Sequence, residues 1–166
     1  QQRPCAMGQQ QLLLLVLSTV IVGLATVAGI QAFDEGQTQA TQDALTQRGL
    51  TIGTDITAAL NQPSQLGGVS FTSSKASIAA AAGLETNGSD GAGIPAPGAG
   101  NNGDCDITGV SSGTGNSGTV TIICAENGSG ADNSSGDSSL GQTVTVEADM
   151  EGSNVTTING TNVGSI

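Results

Sequence analysis

A chain of 166 residues with 3 Lys and Arg against 14 Asp and Glu carries a formal charge of −11, which argues against nucleic acid as a partner, because counterion release at phosphates needs cationic side chains. The chain has no His, Trp or Tyr, and its few Lys leave little general acid–base or nucleophile-activating chemistry, so neither an enzyme, a catalytic residue nor a cofactor is expected. Dispersed acids suit a high-salt habitat or, equally, simple solvation of an extracellular surface.

In chain order, the first feature is residues 8–36, "GQQQLLLLVLSTVIVGLATVAGIQAFDEG", in which the nineteen residues 12–30 carry no charge. A secretory signal peptide has a shorter apolar run, of about 7–15 residues, ahead of a small-residue cleavage site. Here the pattern continues past Phe33, with Ala40, Ala44, Leu45, Ile52, Ile56, Ala59 and Leu60 on one helical face until Pro63. The spacing predicts one helix of roughly 50 residues, about 75–80 Å at the α-helical rise. Its first half is apolar all round, so it belongs inside a membrane or inside other protein, and it is long enough to span a bilayer. Its amphipathic second half needs a surface to pack on, and the C-terminal region is the candidate. Gly23, Gly29, Gly36, Gly49 and Gly53 punctuate the helix. They read either as sites of close approach or as tolerated weak points costing about 1 kcal/mol each.

After Pro63 the composition shifts. Residues 75–85, "KASIAAAAGLE", predict a short helix, and "TNGSDGAGIPAPGAGNNGD" reads as a linker or long surface loop. "CDITGVS", "GTVTIICAE", "QTVTVEAD" and "SNVTTINGTNVGSI" predict four strands separated by Gly, Asn, Ser and Asp clusters. The expected fold is therefore α+β: a long N-terminal α-helix, apolar then amphipathic, with a small antiparallel β-sheet head. Composition divides the chain into 1–62 (extension and helix), 63–103 (connector with a short helix) and 104–166 (strand head). With one Phe beyond residue 62, the head core should be thin and rich in Val and Ile.

Cys105 and Cys124 bracket two strands and a Gly/Ser-rich middle, and are expected to form a disulfide worth roughly 3 kcal/mol; the competing reading is two free buried thiols. Cys5 is then left over. Asn87, Asn127, Asn133, Asn154 and Asn159 stand in Asn-x-Ser/Thr sequons and are candidate glycosylation sites. Asp132 and Asp137 fit no EF-hand spacing and read as solvated, so no metal site is expected. "GTGNSG" lacks the Lys of a phosphate loop and reads as a hairpin connection. Asp104 and Asp106, the one close acidic pair considered for catalysis, read as solvated acids at a loop edge.

The layout resembles the type IV pilin superfamily, with its specific residues confined to "AMGQQQLLLLVLSTVIVGLATVAGIQAF". That resemblance implies a leader peptidase cutting ahead of the apolar run, and the junction of Gly8 and Gln9 is the candidate processing site. The family's Phe at the first mature position and Glu at the fifth are absent, and a run of Gln9, Gln10 and Gln11 opens the segment. Gln1 is the alternative, and favoured, mature N-terminus. The resemblance further implies a homo-oligomeric helical filament on the cell surface, membrane-embedded before assembly and handled by pilus assembly machinery, serving adhesion or surface interaction. Leu12, Leu13, Leu14, Leu15, Val16, Leu17, Val20, Ile21, Val22, Leu24, Val27 and Ile30 are the expected assembly core. The alternatives are a minor pseudopilin of a secretion system and a single-pass, membrane-anchored extracellular binding domain.

Overall fold

The computed structural model describes residues 6–88, 90–100, 102–113, 117–128, 140–159 and 161–162. Cys5, Asp132, Asn133 and Asp137 lie outside them. One helix, α1, spans Ala6–Asn61, followed by a single 3-10 turn at Ser64–Leu66. Helix α1 ends where Pro63 withdraws a backbone donor and forces its predecessor away from helical geometry. By packing, the chain forms two compact units, residues 1–38 and 39–166. The boundary falls inside α1, close to where the apolar half gives way to the amphipathic half. The fold is α+β.

In the second unit, α2 covers Lys75–Ala81, and the strands are β1 Ile94–Pro95, β2 Asp104–Ser112, β3 Gly118–Ala125, β4 Thr143–Ala148, β5 Ser153–Ile158 and β6 Thr161–Asn162. They form one antiparallel sheet in the order β1-β2-β3-β4-β5-β6, each strand beside its neighbour in sequence. Period-two alternation decides the faces. Cys105 and Ile107, then Val120, Ile122 and Cys124, then Val144, Val146 and Ala148 join one core with Leu45, Ile52, Ile56 and Leu60 of α1. The amphipathic stripe read from sequence is thus the stripe that is buried, except that Ala40 is exposed and Ala44 half-buried.

Two glycines let this packing close. An added Cβ at Gly49 would stand 2.8 Å from Val146 Cγ2, and one at Gly53 would stand 2.6 Å from Ser153 Cβ. At these two positions close approach is the right reading, but the approach is of helix to sheet. Hydrogen bonds pin the same contact: Thr57 Oγ1 donates to the Gly152 carbonyl at 3.3 Å, Asn61 Nδ2 to that of Met150 at 3.0 Å, and Arg48 Nε to that of Pro95 at 2.9 Å.

Several expectations shift. The short helix stops at Ala81, before the expected residue 85. Its ends are closed by the Ser74 hydroxyl accepting from Ser77 N at the start and by Gly83 (φ 69°) at the finish, where Gly83 N donates to Ala80 O and Leu84 N to Ala79 O. The stretch expected to be a linker supplies β1 and buries Ala92, Ile94, Ala96 and Ala99, because small side chains let its backbone lie close against the core. The last predicted strand is broken after Ile158: β5 ends there, Asn159 has φ 48°, and Ile158 pairs with Thr161 of β6, while residues 160 and 163–166 lie outside the described residues.

The acidic pair is also corrected. Asp106 is fully buried and Asp104 nearly so: both belong to β2 rather than to a loop edge, with the segment from Gly91 to Pro95 running alongside. The Gly93 N–H donates to Asp106 Oδ1 at 2.6 Å, and Ile107 N donates to the Gly91 carbonyl at 3.2 Å. A buried carboxylate needs such donors to replace its hydration.

Cys105 and Cys124 stand directly opposite one another in β2 and β3, and form the expected disulfide, with a Cα–Cα separation of 3.9 Å. Antiparallel pairing of these two strands also makes "GTGNSG" a hairpin connection; residues 114–116 lie outside the described residues, while Gly113 N donates to Ser117 O at 2.6 Å.

Candidate assembly surface

The apolar half of α1 presents its side chains outward on every side. Leu12, Leu13, Leu14, Leu15, Val16, Leu17, Val20, Ile21, Val22, Leu24, Val27 and Ile30 are each more than half exposed. Phe33, not included among the expected assembly residues, is 79% exposed and extends the same surface by one turn. Its signal was present in the sequence, since no charge intervenes between residues 12 and 33. Nothing lies within 4 Å of an added Cβ at Gly8, Gly23, Gly29 or Gly36, so these glycines are open.

The few polar side chains here do not interrupt the surface. Thr19 Oγ1 donates to the Val16 carbonyl and Thr26 Oγ1 to the Gly23 carbonyl, both at 2.8 Å, which closes each hydroxyl on its own helix. The backbone donors and acceptors are consumed by the helix itself. Apart from the exposed Ser18 and Gln31, what remains outward between residues 12 and 33 is hydrocarbon, with a mean hydropathy of 2.5 over the most apolar 18-residue window. Such a helix is long and apolar enough to cross a bilayer, and exposed patches of this size mark a surface meant for other protein or for lipid.

Among the described residues there is no group of three or more His, Cys, Asp or Glu placed to hold a metal ion. A cleft of about 440 Å³ is lined by Ser111, Ser117, Thr119, Asp149 and Glu151 among others. Its Asp149 Oδ1 already accepts from Glu151 N and Gly152 N, both at 2.8 Å, as a turn-closing acid does. Four sequon residues, Asn87, Asn127, Asn154 and Asn159, are exposed. Asn159 is additionally engaged in holding the sheet, accepting from Thr143 N at 2.8 Å and donating to Gln142 Oε1 at 2.5 Å.

A long, apolar N-terminal helix with a small antiparallel sheet is an architecture consistent with pilin-like proteins. Comparison with known protein families, with curated proteins and with solved structures finds no match for this chain.

Proposed function

We propose that this chain is a divergent type IV pilin-like subunit that polymerises into an extracellular filament through the apolar half of α1. The carrying observation is the unbroken, fully outward apolar surface of residues 12–33 on a chain whose remaining residues make their own core. Such a helix resides in the membrane until assembly, and identical helices then supply the second water-free environment that it needs. At roughly 25 cal/mol per Å² of apolar surface, packing these side chains against neighbours is a strong drive. In this reading one face of the helix meets a different face of the next copy, and such a contact makes a filament instead of a ring when its rotation does not close. The role is structural, with adhesion or surface interaction carried by the heads; of the two candidate N-termini, Gln1 and Gln9, the filament reading uses a cut between Gly8 and Gln9, because that cut brings the apolar run to the front of the subunit.

The test is negative-stain electron microscopy of material sheared from cells and pelleted at high speed, with the polypeptide identified in the pellet by mass spectrometry. Long thin fibres made of this chain are expected. Recovery solely as detergent-soluble membrane monomers would overturn the filament and leave the anchored binding domain, for which the same helix is the bilayer span.

A further inference from the structure

Residues 9–33 contain no ionisable side chain, and no acid occupies the first turn of α1. The first acid is Asp34, which stands about 37 Å from Gln9 along the helix axis at 1.5 Å per residue. If the polymerising chain starts at Gln9, its α-amino group lies one helical turn from Leu12, at the positive end of the helix dipole. Neither its own apolar segment nor that of an identical neighbour carries a carboxylate to pair with it. A charge taken out of water without a partner is strongly unfavourable.

The residue at that position can remove the charge by itself. We propose that Gln9, once freed by cleavage after Gly8, cyclises to pyroglutamate, so that the subunit enters the filament with a neutral N-terminus. This rests on the filament reading, in which the Gly8 and Gln9 junction is cut. In its neutral form the α-amino nitrogen attacks Cδ of the Gln9 side-chain amide. A C–N bond closes the lactam, the bond from Cδ to the side-chain nitrogen breaks, and that nitrogen leaves as ammonia with the proton given up by the amine. Nothing is oxidised or reduced, and no co-reactant is consumed. Both residues at the junction are accessible: Gly8 and Gln9 are exposed, and nothing crowds Gly8 within 4 Å of an added Cβ.

The experiment is N-terminal peptide mass spectrometry on sheared fibres. A synthetic peptide with the sequence from Gln9 onward is carried through the same handling, to report cyclisation occurring after harvest. The expected species starts at Gln9, is lighter than the Gln form by one ammonia, and resists Edman degradation. A Gln9 start bearing a free or methylated amine overturns the cyclisation while leaving the filament reading intact. A start upstream of Gln9 overturns it at the processing step, and absence of the chain from any fibre overturns the filament reading itself. Gln9→Ala, which cannot form the lactam, gives a second readout. Its amine, with an ordinary value of about 7.7–8.0, is charged at about pH 6 and neutral at about pH 9. Variant fibres should therefore dissociate on acidification and persist at the higher pH, while wild-type and Gln10→Ala fibres respond to neither; identical pH profiles for all three would overturn the proposal.

Discussion

Replacing Gly53 by Ala tests whether the helix is seated on the sheet by absence of a side chain. The added Cβ would stand 2.6 Å from Ser153 Cβ, 3.1 Å from Ser153 Oγ and 3.3 Å from Val146 Cγ1. The nearest atom is bonded directly to the β5 backbone, so relief requires lifting the helix or shifting the strand, not merely turning a side chain. Overpacking of this kind costs about 1–3 kcal/mol. Against it stands the gain of about 0.8–1.0 kcal/mol from replacing Gly by Ala inside a helix. The net expectation is a loss of about 0–2 kcal/mol, or up to about 8 °C in Tm for a unit of this size. At Gly49 the closest atom is a Val146 methyl at 2.8 Å, which can move more readily, so Gly49→Ala should lose about 0–1 kcal/mol. Gly36→Ala, with open space around it, should keep the whole propensity gain and slow amide exchange in the surrounding turns. The assay is thermal unfolding of the full chain in detergent micelles, with hydrogen exchange for Gly36→Ala. A Gly53→Ala protein that melts higher than wild type would refute the seating argument.

Ile21→Asp places an unpaired charge in the proposed bundle and should abolish fibres while leaving head melting unchanged; normal fibres by electron microscopy would sink the assembly surface. Cys105→Ser should cost the head roughly 3 kcal/mol in denaturant unfolding, and unchanged protease resistance would show that the bridge contributes nothing. Asp106→Ala leaves the buried Gly93 N–H without that acceptor, so a loss of about 1–3 kcal/mol is expected, together with faster amide exchange across residues 91–94. Unaltered exchange there would mean that the carboxylate does not hold the segment over β2.

The long helix, its change of character near Phe33, and the four principal strands follow from local rules that one sequence carries. An unbroken apolar run admits few solutions, the 3.6-residue stripe from Leu45 to Leu60 marks the buried face, and alternation such as Val120, Ile122 and Cys124 sets the inward side of a strand. The break between β5 and β6 is not among them, since one strand is expected through Asn159, whose φ of 48° departs from extended geometry. Other features had no local signal because their causes lie far away in the chain. The burial of Asp106 is matched by a backbone donor at Gly93, which arrives only when the segment from Gly91 to Pro95 lies along β2. Burial of Ala92, Ala96 and Ala99 requires a core for the connector to cross, and a Gly/Ala/Pro composition reads equally well as solvated loop until that core exists.

The glycines of α1 from Gly23 to Gly53 state the division most clearly. By itself the sequence determined that each is a weak point in a helix and each a place where something can come close. Tertiary structure decided that Gly49 and Gly53 face β-sheet atoms inside ordinary contact distance, whereas Gly23, Gly29 and Gly36 face open space. The physical reason is that helix propensity belongs to a residue and its neighbours in the chain, while close approach belongs to whichever surface the rest of the chain brings against it.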